Sequence, residues 1–298
     1  TIRMAAEPSD ARHASVVVFE NGETGSTVLE GFTLTGGTGT WIGSSRHGGG
    51  GVYFGESCSP ALADCTITGN SAGYGAGAYC DRDSSPTLTN CAIAGNSGAG
   101  MYCLGASPAL TNCTITGNWD DGVHSDSISS PALTNCTITG NWDDGVFSDS
   151  SSPAVLTNCI VWDNIGDAVS GGSADSPLSV TYSCIEGEPV WPGEGNINGD
   201  PLFCGWDARG EVWVDPGNAA SGDGSEANPY ADVREATASF RLSLAADSPC
   251  IGAGKDGADM GADTGRCDDP PGAALVVHLA AGTYNARDID IVHRLSLI

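Results

Sequence analysis

The chain has 298 residues, 40% of them apolar, with 43 glycines and a formal net charge of −26. That is enough apolar content for one long domain, and the charge repels nucleic acid and anionic membranes while suiting calcium or a saline exterior. No apolar run is long enough to span a bilayer as a helix, so neither nucleic acid nor direct membrane insertion is expected.

Residues 1–57 read as irregular early coils, with alternating apolar residues in TIRM, SVVVFE and TVLEGFTLTGG. The stretch 38–51 reads as a long Gly-rich loop. From residue 59 the chain repeats. SPALADCTITGNSAGYGAGAYC (59–80) is followed by SPTLTNCAIAGNSGAGMYC (85–103). Residues 107–129 and 130–152 are then the same sentence twice, differing only at His124/Phe147 and Ile128/Ser151. A decayed copy follows at 152–170. The repeat cysteine falls at 65, 91, 113, 136, 159 and 184, which sets about 22–26 residues per unit. A period of that size means a solenoid whose units bury their apolar faces only against neighbours.

The units are rich in Thr, Ser, Gly and Asn, and their apolar residues alternate, which favours strands over helices. In one unit, Leu110 and Cys113 both point inward although three residues apart, so the period of two slips between them. Asn112 sits at the slip and tolerates the left-handed backbone of a sharp bend. Each coil is therefore predicted as a strand at 109–111, a bend at Asn112, a strand at 113–116, a GNWDD turn, a GVHS strand and a second turn. Three strands and three bends per coil make an all-β parallel β-helix. The predicted inward columns are Cys65, Cys91, Cys113, Cys136, Cys159; then Ile67, Ile93, Ile115, Ile138, Val161; then Val52, Ala78, Met101, Val123, Val146, Ala168. Phe32 and Leu34 extend the first two. Two Asn ladders are expected outside them, Asn90, Asn112, Asn135, Asn158 and Asn70, Asn96, Asn118, Asn141, hydrogen-bonding along the stack.

This pattern, over roughly residues 27–185, resembles the right-handed parallel β-helix proteins of the pectate-lyase-like superfamily, and in particular secreted bacterial surface proteins built from tandem modules. The resemblance implies a right-handed coil and an extracellular or cell-surface location. It leaves function open, since a fold hosts many functions. INGDPLF and SFRLSLAADSPCIGAGKDGADMGA resemble the closing segments of such proteins. EVWVDPGNAASGDGSEANPYADVREA between them resembles an opening segment, with a strand and a short helix covering a first coil. The predicted domains are coils at 1–185, a closing and opening junction at 186–272, and first-coil-like strands at 273–298. The chain starts at Thr1 without a leader-like stretch, as expected of a mature protein or a piece of a longer one. TIRM and RLSLI at its ends read as uncapped strands, so a circularly shifted unit is expected to meet other copies head-to-tail, as a filament or a tandem fibre.

Of the twelve cysteines, the ladder thiols, Cys91, Cys113, Cys136 and Cys159 among them, are expected free as small buried hydrophobes. Cys58, Cys204, Cys250 and Cys267 lie off the ladder and are expected to pair.

Asp120, Asp121, Asp143 and Asp144 recur one coil apart, about 4.8 Å in a stacked solenoid. The plain reading is a solvated turn copied by duplication. The same acids are candidate calcium ligands, because a hard cation takes several oxygens. They also match the carboxylate spacing of a retaining glycosidase, about 5–5.5 Å. Exact duplication weighs against catalysis, which needs unlike partners in unlike environments. Trp119 and Trp142 stack beside the acids, and Tyr53, Tyr79, Tyr102, His124 and Phe147 form an outward column on the next strand. In enzymes of the superfamily that face carries substrate, so Trp119, Trp142, Tyr79, Tyr102 and His124 are candidate carbohydrate contacts. The alternative is a self-packing ladder, or a face covered by the 38–51 loop. The paired basic residues of acidic-polysaccharide lyases have no counterpart in the coils, where Arg82 stands alone, and His47 and His124 each read as a lone histidine.

The expected function is an extracellular structural module with no catalytic residue and no required cofactor, calcium being the one candidate ion. The alternative is a carbohydrate-binding or carbohydrate-active protein, with a polysaccharide as partner.

Overall fold

The computed structural model describes residues 1–204 apart from 6, 7, 9, 11, 44, 45 and 174–176, and then residues 211–214, 242–263, 266–267, 276–279 and 296–297. They belong to two units, Thr1–Gly199 with Gly252–Asp263, and Asp200–Ile251 with Thr264–Ile298.

The first unit is a parallel β-helix built from one eight-stranded and two seven-stranded parallel sheets. We name them by the residue each turns inward. The leucine sheet includes Thr87–Thr89, Ala109–Thr111 and Ala132–Thr134, paired Leu88↔Leu110↔Leu133. The isoleucine sheet includes Ala92–Ala94, Thr114–Thr116 and Thr137–Thr139, paired Ile93↔Ile115↔Ile138. The valine sheet includes Ala78–Cys80, Met101–Leu104, Val123–Asp126 and Val146–Ser148, paired Ala78↔Met101↔Val123↔Val146. Leu110, Ile115 and Val123 are buried, and each such side chain contributes about 1.5–3 kcal/mol by leaving water.

The strands are short because each coil bends at two recurring positions that adopt the left-handed backbone. At the first bend φ is +50° to +55° at Asp64, Asn90, Asn112, Asn135 and Asn158. At the second it is +61° to +65° at Gly69, Gly95, Gly117 and Gly140. Asn and Gly are the residues that take this conformation at least cost.

The two Asn columns differ in kind. Asn70, Asn96, Asn118 and Asn141 were expected outside the inward columns, but they are fully buried inside the second bend. Asn118 Nδ2 donates to Asn141 Oδ1 at 3.0 Å and to the Ile93 carbonyl of the preceding coil at 3.0 Å. The same bonds link Asn70 to Asn96, Asn96 to Asn118, and Asn141 to Asn164. A buried amide persists only when its donors and acceptors are matched, and here each link matches the next. The column at Asn90, Asn112, Asn135 and Asn158 lies nearer the surface. Asn112 Nδ2 donates to Asn90 Oδ1 at 2.8 Å, and the side-chain oxygens of Asn112 and Asn158 accept from the segment 252–263. Lys255 N donates to Asn158 Oδ1 at 2.7 Å, Ala262 N to Thr137 Oγ1 at 2.9 Å, and Asp263 N to Asn112 Oδ1.

Other corrections are local. The valine column ends on Val169, paired with Val146, and not on Ala168. The GNWDDGV spacing sets the partner five residues after the buried Asn, and Val169 stands five after Asn164. Leu34 joins the isoleucine column, whereas Phe32, at the Cys position of an end coil, is exposed. The Gly-rich loop is an antiparallel hairpin, Gly39–Gly43 with Arg46–Gly48, against His13–Ala14. Cys65, Cys91, Cys113, Cys136 and Cys159 are free and buried, as expected. Cys58 is also free, and donates its thiol proton to Glu23 Oε2 at 3.3 Å where a disulfide partner was expected.

In the second unit, Phe203–Cys204 runs antiparallel to Ser243–Ala245, which is parallel to Arg266–Cys267. Glu211–Val214, Val276–Leu279 and Ser296–Leu297 form a separate parallel sheet. The side chains of Cys204 and Cys267, the helix expected after Val214, and Ile298 lie outside the described residues. Among the described residues no helix is long and apolar enough to cross a membrane.

Candidate functional site

The GNWDDG turn links the isoleucine and valine sheets. Its Asn is held in the buried ladder, and the backbone N–H of Trp142 donates to the Asn118 carbonyl at 2.9 Å. This pins the turn, so the residues after Asn project from a fixed base. Trp119 and Trp142 stack, ring centres 5.3 Å apart.

The two copied acid pairs have unlike surroundings. Asp121 is buried, its Oδ2 accepts from His124 Nδ1 at 2.6 Å, and its Oδ1 accepts from Asp144 N at 2.9 Å. In the next coil Phe147 replaces the histidine. Asp144 there accepts from Asp167 N at 2.7 Å and from the Ser170 hydroxyl. Carboxylate oxygens of Asp120, Asp121 and Asp143 lie within 4.8 Å of one another. Burial, and next the charge of Asp121, push the Asp120 carboxyl above the usual carboxylate range. Asp143 is raised by burial, then by Asp121, Asp144 and Asp120. The cluster opens into a cleft of about 330 Å³ lined by Tyr74, Tyr102, Asp120, His124, Asp143 and Phe147.

The outward aromatic column forms in register. Tyr53, Tyr79 and Tyr102 stack at 5.7 and 5.8 Å, and His124 lies between Tyr102 and Phe147 at 4.5 and 4.6 Å. Much of it is enclosed. Tyr79 is only 2% exposed and lies under Gly48 of the hairpin, where a Cβ would approach its ring to 2.9 Å. Tyr74 packs edge-on against Tyr102 at 5.0 Å, and Arg46 lies 5.2 Å above the Tyr74 ring. Tyr79 and Tyr102 are therefore packing residues over most of their faces. The part left for a ligand is the end at His124 and Phe147, beside the acids.

Residues 50–197 match the family model described as a right-handed beta helix region. The match spans the coils that carry the acid cleft and the aromatic column. Comparison with curated proteins gave no match, and comparison with solved structures gave none.

Four features of the site escape the sequence reading. His124 is not alone, because Asp121 meets it on the same coil. Tyr74 comes from the turn two coils earlier. Asp167 and Ser170 come from the decayed copy and engage Asp144. The i,i+3 spacing of Asp121 and His124 was the available signal. In a helix it would be a neighbour pair. Here a tight turn into a strand brings the same pair together.

Proposed function

We propose that this right-handed β-helix binds a glycan at the open end of its aromatic column and acts on it by acid–base chemistry in the adjoining cleft. The observation that carries this reading is the His124–Asp121 contact. It makes one of two nearly identical coils chemically unlike the other, at the point where the cleft opens. Asp121 holds His124 by Nδ1, which leaves Nε2 as the ring nitrogen for a ligand. Asp120 and Asp143, both raised, supply a carboxyl that keeps its proton to higher pH than usual. Their oxygens lie within 4.8 Å, short of the roughly 6.5–9.5 Å of an inverting glycosidase and near the separation of a retaining one. Phe147 and His124 offer the aromatic face that a sugar ring packs on. Four acids about the cleft disfavour a polyanionic substrate, so the reading is a neutral or amino-bearing glycan.

His124→Phe tests this, because it makes the two coils alike. The expected result is loss of binding and turnover on a panel of neutral, amino and acidic glycans, with the thermal midpoint kept. Unchanged binding in that variant refutes the reading, as does preference for acidic glycans.

A second reading, the structural module that adds coils end to end, is favoured by the first coil. Ile2–Arg3, Val17–Phe19 and Val28–Glu30 are the outermost strands of their three sheets among the described residues. Their free edges suit a further coil, supplied by another stretch of the same protein or by a second copy. The parallel pairing of Val276–Leu279 with Ser296–Leu297, 20 residues on, suits a coil of another β-helix. Sedimentation across a concentration series separates the cases: growth into long species supports assembly of copies, and a constant monomer rejects it.

A further inference from the structure

Cys80 and Cys103 lie outside both the thiol ladder and the cleft. Cys80 and Cys103 occupy adjacent parallel strands of the valine sheet and are direct register partners. Both are fully buried. Their neighbours Tyr79 and Tyr102 stack on the outer face, so both thiols point to the same side, into the core. Paired residues of adjacent parallel strands stand about 4.8 Å apart, within the roughly 4.4–6.8 Å between Cα atoms that a disulfide bridges. Phe54 precedes this pair in its column and Ser125 follows it. The set of thiols here is therefore closed at two.

The ladder differs. There a thiol such as Cys113 lies between two others, those of Cys91 and Cys136, and it donates to carbonyls, to Leu88 at 3.5 Å and to Thr111 at 3.4 Å. Cys80 and Cys103 instead have one thiol neighbour each in their column, namely each other.

We propose that Cys80 and Cys103 form a disulfide between consecutive coils when the chain folds in the presence of a small-molecule disulfide. Each cysteine gives up one proton and one electron, and a new bond joins the two Sγ atoms. The external disulfide takes up both electrons and both protons and leaves as two thiols. Burial raises the Cys80 thiol far above its ordinary range, so it is unreactive once the core has closed. The crosslink is accordingly installed during folding, before the next coils cover the pair.

The test refolds reduced, denatured protein with oxidised and reduced glutathione, and in parallel with reductant alone. The folded products are then denatured in the presence of an alkylating agent, which caps every free thiol, and the peptides are mapped by mass spectrometry. The expected result is a peptide pair joined through Cys80 and Cys103, lighter by two hydrogens than its separate halves, with Cys91, Cys113, Cys136 and Cys159 alkylated. The oxidised protein should also unfold at a higher urea concentration than the reduced one. That difference should shrink in the Cys80→Ser, Cys103→Ser double variant. Alkylation of both Cys80 and Cys103 in the denatured product of the oxidised refolding overturns the proposal, and so does a crosslink joining either of them to a ladder cysteine. The mapping needs only the unsubstituted chain, so it stands even if the double variant does not fold.

Discussion

Replacing Asn118 by Ala probes the buried ladder at its centre. Asn118 Oδ1 accepts from Asn96 N at 3.2 Å and from Asn96 Nδ2 at 2.9 Å. Its Nδ2 donates to the Ile93 carbonyl and to Asn141 Oδ1, both at 3.0 Å. After truncation Asn141 Oδ1 keeps the Asn118 backbone N–H at 3.1 Å. Two donors of Asn96 and the Ile93 carbonyl lose this partner inside the core. At roughly 1–3 kcal/mol for each orphaned group, the loss is on the order of 5 kcal/mol. Asn112→Gly is the matched control. It removes an amide nearer the surface while keeping a residue suited to the φ of +55° there, and it should cost about 1 kcal/mol. Urea unfolding followed by circular dichroism measures both. If Asn118→Ala lies within about 1 kcal/mol of the unsubstituted protein, the ladder is not what holds the bend.

Asp143 is held above its ordinary value in the fold, so native stability falls as pH rises from the unfolded value through the raised one. Asp143→Asn should therefore raise the thermal midpoint near neutral pH and lose that advantage below about pH 3.9, where the aspartate is protonated in both states; equal midpoints across the series reject the crowding of charge. Gly122→Ala should destabilise the stack by about 1–3 kcal/mol or more, because its Cβ would lie 2.6 Å from the Gly145 carbonyl oxygen and 2.7 Å from Ile138 Cγ2, and soluble, normally melting protein would contradict that contact. Calcium should raise the thermal midpoint with concentration if Asp120, Asp121 and Asp143 share an ion, and Asp143→Asn should remove the shift; indifference to calcium and chelator leaves them as plain acids.

Most of the coil was legible because it is written several times. The strand at 109–111, the strand expected at 113–116 and found at Thr114–Thr116, the bend at Asn112 and the register of Ile67, Ile93 and Ile115 follow from period two and one slip. Polarity misled at Asn70, Asn96, Asn118 and Asn141, since an amide that finds four partners is as much at home inside as leucine. The hairpin at 39–48 has no alternation to read, because glycine marks neither face. His124 was visible as a single difference between two copies, but its meaning depended on a turn that brings Asp121 back onto it. The packing of 252–263 against Asn112, Thr137 and Asn158 left no trace in the repeat.

That last contact carries a clock. Its hydrogen bonds join residues 97, 125 and 151 positions apart, whereas neighbouring Asn of the buried ladder are 22 to 26 apart. During synthesis each coil has its neighbour at hand almost at once. Asn158 must wait for Lys255, 97 residues later, which at about 5–20 residues per second is roughly 5–20 s. Until then the side-chain oxygen of Asn158 lacks this partner, and that of Asn112 waits longer still, for Asp263, so this side of the solenoid is completed well after its coils have stacked.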